Sequence, residues 1–264
     1  MNISNLAVVS KDATMGDGVE VGPFAVVEDG VKLGSRVKVW PHAYICKGTT
    51  IGEDTQIHMG AVIGHAPQDL AFKNAPSYLN IGKRTIIREY ATIHRGTAEG
   101  SSTVIGDDCY LMATAHVGHN CQIGNKVIIV NAALLAGYVT VEDLAFISGN
   151  VVIHQFCRIG KLAMIGGYTA VNKDVPPYML VRGPSIVRAV NLVGLRRAKF
   201  PTELIRTIKD AYKFLYLSDL NTSMALEEIA KLKPSTELDH LIKFIKESKR
   251  GICRSKERDE ETFE

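Results

Sequence analysis

A six-residue hydrophobic repeat constrains the fold of this chain more than any other feature. Large aliphatic residues recur at every sixth position from Ile3 to Val171, and only Asp69, Ala75 and Glu99 break this frame. A period of six fits neither the 3.6-residue period of a helix nor the strict alternation of a strand with one buried face. The repeat therefore predicts a solenoid of short parallel strands, each of which points one aliphatic side chain inward.

Three such strands make one coil of about 18 residues, and neighbouring coils should lie about 4.8 Å apart. A small or β-branched residue precedes each repeat position by two, as at Ala25 and Val31. Glycine often follows the repeat position, as at Gly34 and Gly52, and we expect positive φ at these glycines because they would form the corners. The predicted fold class is an all-β parallel β-helix over residues 1–190.

Two polar segments interrupt the repeat, and we predict that they form loops. They cover residues 65–80 and 96–103. Loops on a rigid scaffold are where binding residues concentrate. The repeat ends after Val171, where Pro176 and Pro177 cannot donate to a strand ladder.

The periodicity becomes helical after about residue 190. Helices are predicted from Pro201 to about Leu215, over 222–232 and over 236–249. The charged end, 253–264, is predicted to fray. Residues 191–264 should thus form a small C-terminal helical domain.

The composition is ordinary for a soluble globular chain, with 46% hydrophobic and 22% charged residues. A net charge of +3 is too small to indicate nucleic-acid binding by itself. No apolar run approaches the roughly 20 residues of a membrane span, and the N-terminus lacks the apolar segment of a signal peptide. We therefore expect a cytoplasmic protein without membrane insertion. Three of its five cysteines, Cys109, Cys121 and Cys157, occupy inward packing positions.

One corner of the predicted solenoid collects polar residues. Because one coil has about 18 residues, His119, Gly137 and Gln155 should stack in one column over three adjacent coils. His116 and His154 lie close to this column in sequence. The neighbouring column contains Asn120, Tyr138 and Phe156.

This cluster admits three interpretations. In the first, His116 and His154 only cap exposed turns. In the second, His94, His116 and His119 hold zinc between subunits, as in β-helix proteins similar to γ-class carbonic anhydrases, although the spacing differs from that family's pattern. In the third, His119 removes a proton from an acceptor while the backbone N–H of Gly137 stabilises an oxyanion.

Longer motifs give the chain a specific family resemblance. They are PQDL at 67–70, IHRGT at 93–97, AHVGHNC at 115–121, LAG at 135–137, HQFC at 154–157, DVPPY at 174–178 and GLRRAKF at 194–200. In this order they resemble the LpxA family, the acyl-(acyl-carrier-protein)–UDP-N-acetylglucosamine O-acyltransferases of lipid A biosynthesis. The resemblance covers nearly the whole chain and implies a left-handed β-helix.

The resemblance also implies a reaction and its residues. An (R)-3-hydroxyacyl group would pass from acyl carrier protein to the 3-hydroxyl of UDP-N-acetylglucosamine, and no cofactor or metal is required because a thioester is already activated. His119 would be the general base and Gly137 the oxyanion donor. The implied substrate contacts are Asp69, His94, His116, Tyr138, His154, Gln155, Asn191 and Arg197.

The implied partners are acyl carrier protein and two further copies of the chain. A homotrimer would place active sites between neighbouring prisms. Because acyl carrier proteins are acidic, we expect basic residues near the groove. The candidates are Arg182, Arg188, Arg196, Arg197 and Lys199.

Three residues depart from the family pattern. Asn120 replaces a carboxylate, Tyr138 replaces a histidine and Ala71 replaces a lysine. An asparagine can orient an imidazole but cannot stabilise an imidazolium as an anion does. The alternative function is therefore N-acylation of a 3-amino sugar nucleotide or a related amino sugar, and the LpxD family carries His-Asn at this place. A non-enzymatic scaffold is the third class, against which the column at His119 argues.

Overall fold

The computed structural model describes residues 1–255, which form a left-handed parallel β-helix followed by helices. The eleven-stranded wall contains β1 (Asn2–Ile3), β4 (Glu20–Val21), β7 (Lys38–Val39), β10 (Gln56–Ile57), β13 (Ile86–Ile87), β16 (Tyr110–Leu111), β19 (Ile128–Ile129), β22 (Phe146–Ile147), β25 (Met164–Ile165), β27 (Met179–Arg182) and β28 (Ile186–Val190).

The other two walls complete the triangular prism. The nine-stranded wall contains β2 (Val8–Val9), β5 (Val26–Val27), β8 (Tyr44–Ile45), β11 (Val62–His65), β14 (Thr92–His94), β17 (His116–Val117), β20 (Leu134–Leu135), β23 (Val152–Ile153) and β26 (Ala170–Val171). The eight-stranded wall contains β3 (Thr14–Met15), β6 (Lys32–Leu33), β9 (Thr49–Ile51), β12 (Tyr78–Ile81), β15 (Ser102–Ile105), β18 (Gln122–Ile123), β21 (Thr140–Val141) and β24 (Arg158–Ile159).

The strand register confirms the predicted coil. Val117 pairs with Leu135, and Leu135 pairs with Ile153, one repeat of three strands further along. The pairing interval is longer where loops intervene, so that Ile63 pairs with Ile93. From Val21 onward the aliphatic side chains of the frame are buried and form one continuous core. The hydrophobic repeat thus determines which side of every strand faces inward.

Apart from Gly64 (78°), the glycines that follow the repeat positions do not have the predicted positive φ. Positive φ occurs two residues further along, at corners such as Asn120 (59°) and Tyr138 (61°). Gly34 is needed for a different reason, because a Cβ there would lie 2.6 Å from the backbone nitrogen of Glu53 in the next coil. The expectation for Gly34 is therefore wrong: close stacking of the coils, not backbone conformation, requires glycine there.

Both loops leave the prism at the same corner, between the nine-stranded and eight-stranded walls. The first connects β11 to β12 and the second connects β14 to β15, so they cover residues 66–77 and 95–101. Both are shorter than predicted because Tyr78 and Ser102, which the prediction places in loops, pair with each other in the ladder.

An antiparallel hairpin and four helices complete the described range. Strand β28 turns back along β27, and the helices are α1 (Leu192–Arg197), α2 (Thr202–Tyr216), α3 (Thr222–Ala230) and α4 (Thr236–Lys246). The sequence prediction misses α1, a short helix that Asn191 caps. Helix α4 packs on the last coil through Arg158, whose guanidinium lies 4.1 Å from the ring centroid of Phe244. This contact joins the helices to the β-helix.

The end of the chain is ordered further than predicted. The backbone N–H of Val187 donates to the carbonyl of Arg254 at 2.8 Å, and that of Cys253 donates to Asp174 at 2.8 Å. The rest of the segment predicted to fray, and with it the end of the predicted domain 191–264, lies outside the described residues.

Two further sequence predictions concern packing and membranes. Cys109, Cys121 and Cys157 are buried, as predicted, and burial raises the pKa of the Cys109 thiol to about 11. Among the helices of residues 1–255, none has the length and apolar character that crossing a membrane would require.

Candidate active site

His119 lies on the corner that follows β17, directly against the next coil. A Cβ at Gly137 would come within 2.6 Å of His119 Nε2, so the imidazole ring rests on the backbone of that residue. The N–H of Tyr138 donates to the His119 carbonyl at 2.9 Å, and that of Phe156 donates to the Gly137 carbonyl at 3.2 Å. The predicted stacking of these two columns is confirmed.

The hydrogen bonds of Asn120 define which ring nitrogen of His119 carries the proton. Asn120 Oδ1 lies 3.0 Å from His119 Nδ1 and accepts the backbone N–H of Thr97 at 3.1 Å. A backbone N–H only donates, so the amide atom that faces it is the oxygen. His119 Nδ1 must then donate to the same oxygen, so in the neutral ring the lone pair lies on Nε2, which is the tautomer that a general base at this position requires.

Each loop brings one polar residue to the His119–Asn120 pair. The second loop provides Thr97, and the first provides Asp69, whose Oδ2 lies 3.9 Å from His119 Nε2. Asp69 Oδ1 accepts the backbone N–H of Ala71 at 2.9 Å, which orients the carboxylate. Because both loops leave the prism at this corner, two insertions that are separate in sequence meet at the His119–Asn120 pair.

Two further histidines line the same corner in neutral form. His94 is buried and its Nδ1 donates to the carbonyl of Ala66 at 2.6 Å, while burial lowers its pKa. His116 Nδ1 lies 2.8 Å from Thr92 Oγ1, and burial together with His94 lowers the pKa of His116 to about 4. Both rings are therefore uncharged near pH 7 and can offer hydrogen bonds without charge. Within residues 1–255, no group that includes these histidines has an arrangement that could hold a metal ion.

The remaining predicted contacts divide into two groups. His154 and Gln155 are exposed on the coil that follows Gly137, and Arg197 is exposed in the last turn of α1. Asn191 is buried: its Oδ1 accepts from Gly194 N at 3.0 Å and its Nδ2 donates to the carbonyl of Leu162 at 2.8 Å. The side chain of Asn191 is thus occupied by a helix cap, a use of asparagine that the sequence prediction misses.

An apolar surface adjoins the polar residues. The rings of Tyr138 and Phe156 stack with centroids 4.9 Å apart, and the Tyr138 ring meets the His119 ring edge-on at 5.3 Å. Leu134 and Val152, which are cross-strand neighbours on the nine-stranded wall, expose 45% and 44% of their surface. Exposed apolar side chains beside a base indicate a surface that another molecule covers. The sequence places Phe156 in the column but gives no sign of these two aliphatic residues at the site.

Comparisons with known proteins agree on one family. A family profile described as UDP N-acetylglucosamine O-acyltransferase, domain 2, matches residues 174–253, and a profile of bacterial transferase hexapeptide repeats matches residues 12–47 and 102–137. The chain is 49% identical over 251 residues to the acyl-(acyl-carrier-protein)–UDP-N-acetylglucosamine O-acyltransferase of Alkalilimnicola ehrlichii, which covers 94% of this chain and 97% of that protein. It is 46% identical over 194 residues to the Synechocystis protein with the same name, which covers 73% of this chain and 70% of that protein.

Solved structures agree with the sequence relatives. The UDP-N-acetylglucosamine acyltransferase of Francisella novicida matches with a TM-score of 0.92 and 38% identity, covering 96% of this chain and 94% of that one. LpxA from Bacteroides fragilis, a UDP-N-acetylglucosamine acyltransferase, matches with a TM-score of 0.91 and 40% identity, covering 94% of this chain and 98% of that one.

Proposed function

The chain belongs to the acyl-(acyl-carrier-protein)–UDP-N-acetylglucosamine O-acyltransferase family, and from this membership we propose the reaction that it catalyses. It transfers an (R)-3-hydroxyacyl group from acyl carrier protein to the 3-hydroxyl of UDP-N-acetylglucosamine, the first step of lipid A biosynthesis. The observation that supports this reaction best is the His119 ring, whose Nδ1 faces Asn120 Oδ1 while its Nε2 lies against the backbone of Gly137.

The proposed mechanism uses His119 first as a base and then as an acid. Nε2 removes the proton of the sugar hydroxyl while the oxygen attacks the thioester carbonyl. The carbonyl oxygen becomes an oxyanion, which the backbone N–H of Gly137 stabilises; no hydrogen bond within residues 1–255 uses that N–H. The carbon–sulfur bond then breaks, and the carrier thiolate takes the proton from the imidazolium.

Asp69 has a place in this mechanism because of its distance from His119. Its carboxylate lies 3.9 Å from Nε2, and a negative charge at that range favours the imidazolium that forms during attack. Asn120 cannot supply such a charge from the other side of the ring. We propose that Asp69 supplies it and that the neutral His94 and His116 hydrogen-bond to the substrates.

The acceptor can be tested at Asn120. We expect Asn120→Asp to raise kcat for ester formation by about two- to tenfold, because the new carboxylate accepts the same hydrogen bonds and also stabilises the imidazolium. The measurement is initial rate with acyl carrier protein and UDP-N-acetylglucosamine, with the product identified as an alkali-labile ester.

N-acylation remains the second candidate, because an amine keeps its lone pair and needs a weaker base than a hydroxyl does. Asn120 beside His119 is the observation that favours it. If the wild-type enzyme converts the 3-amino analogue of UDP-N-acetylglucosamine to an alkali-stable amide far faster than it forms the ester, the amine is the acceptor and the proposed hydroxyl acceptor is wrong.

We also propose that the enzyme is a homotrimer with active sites between prisms. In this proposal the corner at His119 supplies one side of the pocket and the neighbouring prism supplies the other, which would cover the exposed Leu134 and Val152. Light scattering should give a mass about three times the 28.8 kDa of one chain. A monomer with full activity would contradict the proposal.

The carrier protein is proposed to dock near the basic segment after the last coil. Arg188 lies on β28, Arg196 and Arg197 lie in the last turn of α1, and Lys199 follows that helix. Acidic carrier proteins would be attracted to such a cluster at low salt. A cytoplasmic location stays a prediction.

A further inference from the structure

Three donors converge on a single atom beside the catalytic base. Asn120 Oδ1 accepts from His119 Nδ1, from the backbone N–H of Thr97 at 3.1 Å and from Thr97 Oγ1 at 2.9 Å. The backbone N–H of Asn120 in turn donates to Thr103 Oγ1 at 2.7 Å. Asn120 therefore joins the coil of His119 to the second loop through its side chain and to strand β15 through its backbone N–H.

The Thr97 hydroxyl connects this atom to Tyr138. A hydroxyl has one hydrogen, and Thr97 uses it towards Asn120 Oδ1. The Tyr138 hydroxyl, 3.1 Å from Thr97 Oγ1, must then donate to it. The result is a directed chain of hydrogen bonds from Tyr138 through Thr97 to Asn120, where it meets the bond from His119.

We propose that Thr97 is a positioning residue for the transfer reaction: it fixes the amide orientation of Asn120 and thereby the tautomer of His119, with Tyr138 fixing the Thr97 hydroxyl. This inference rests on the proposed function, in which His119 acts as the base. The sequence alone predicts neither the role of Thr97 nor its coupling to Tyr138.

The physical reason lies in the asymmetry of an amide. A carboxylate presents two equivalent acceptors, so it needs no partner to set its orientation towards a histidine. If the Asn120 amide were rotated by half a turn, its NH2 group would face His119 Nδ1, which would then have to accept, and the ring proton would move to Nε2. The base would be lost. With asparagine at position 120, something must hold the amide, and Thr97 supplies two donors.

Thr97→Val tests the role of the hydroxyl while preserving the side-chain shape and the backbone N–H. We expect kcat to fall about tenfold, or about 1.4 kcal/mol, with KM little changed, because about nine-tenths of the enzyme then holds the wrong tautomer. Thr97→Ser retains the donor and should keep kcat within about twofold of the wild type. Thr50→Val, an exposed threonine on strand β9, is the matched control and should leave kcat unchanged.

A double-mutant cycle separates positioning from general disruption of the loop. In an Asn120→Asp background both side-chain oxygens are acceptors, so rotation of the side chain cannot change the tautomer of His119. Thr97→Val should therefore lower kcat by about twofold or less in that background. If Thr97 had only a structural role, Thr97→Val would lower kcat by the same factor in both backgrounds. Equal losses in the two backgrounds, or no loss from Thr97→Val in either, would overturn the inference.

The tautomer can also be measured without turnover. In protein labelled with 15N-histidine, the shifts of Nδ1 and Nε2 distinguish the protonated from the bare ring nitrogen, and His119→Gln identifies the resonances. At about pH 8.5, where an ordinary imidazole is neutral, the wild type should carry the proton on Nδ1 and Thr97→Val should show a mixture. If Thr97→Val keeps the wild-type tautomer, the inference is wrong. The tautomer can be measured even if the wild-type enzyme fails to acylate UDP-N-acetylglucosamine. That failure would contradict the proposed function but not the role of Thr97.

Discussion

Replacing His119 by alanine is expected to lower kcat for acyl transfer by about 10²-fold or more, because the His119 ring is the base that lies against the backbone of Gly137. His94 and His116 are close in the same corner, but the Nδ1 atoms of both are engaged, and burial lowers both pKa values. Initial rates at saturating acyl carrier protein and sugar nucleotide measure the effect.

The fold should survive this substitution. The His119 ring lies outside the prism core, so its removal leaves no large internal cavity. A matched control is His42→Ala. His42 is an exposed corner histidine that stacks on Phe24, and it lies several coils away from His119. We expect both variants to melt close to the wild type and only His119→Ala to lose activity. Wild-type turnover by purified His119→Ala would remove His119 from the mechanism.

Gly137→Ala is expected to have an effect of similar size, for a different reason. The added Cβ would lie 2.6 Å from His119 Nε2, on the side where the reacting carbonyl must approach the backbone N–H. Displacing the base and blocking one oxyanion donor together should lower kcat by about 10²–10³-fold. The measurement is single-turnover transfer from acyl carrier protein, which isolates chemistry from product release.

Gly149 provides the control for that substitution. It occupies the same place in its hexad as Gly137, and a Cβ there would meet its nearest neighbour, the carbonyl oxygen of Asn131, at 3.2 Å. Gly149→Ala should therefore leave turnover near the wild-type value. Neither glycine has positive φ, so backbone strain does not separate the two variants. Equal activity of the two alanine variants would show that the surface of Gly137 is not where the acyl group is transferred.

Much of the fold is predictable because its main interactions recur at a fixed interval. Val117, Leu135 and Ile153 occupy equivalent places in successive coils, so one aliphatic per hexad reveals strand, register and core together. The same interval places His119 on Gly137 from residue numbers alone. Family motifs add handedness and reaction, which spacing does not contain.

The errors in the prediction occur where the period carries no information. Positive φ is wrongly predicted at Gly34, because that conformation occurs two residues later, at the corners. Asparagine and tyrosine can adopt it at the corners because backbone hydrogen bonds to the adjacent coils hold these residues in place. Helix α1 is six residues long, too short to show a clear helical pattern, and it forms on the cap that Asn191 provides.

The hexad pattern alone specifies the prism, its core and the column at His119. Each of these depends on contacts between residues one coil apart, and such contacts appear in the sequence as a periodic pattern. The surroundings of the base are specified only in the folded molecule. Asp69 and Thr97 belong to two loops whose contacts follow no interval. The two donors of Thr97, its backbone N–H and its hydroxyl, decide which atom of Asn120 faces the ring. Contacts of this kind depend on how each loop packs against the folded β-helix, so they form only in the tertiary structure.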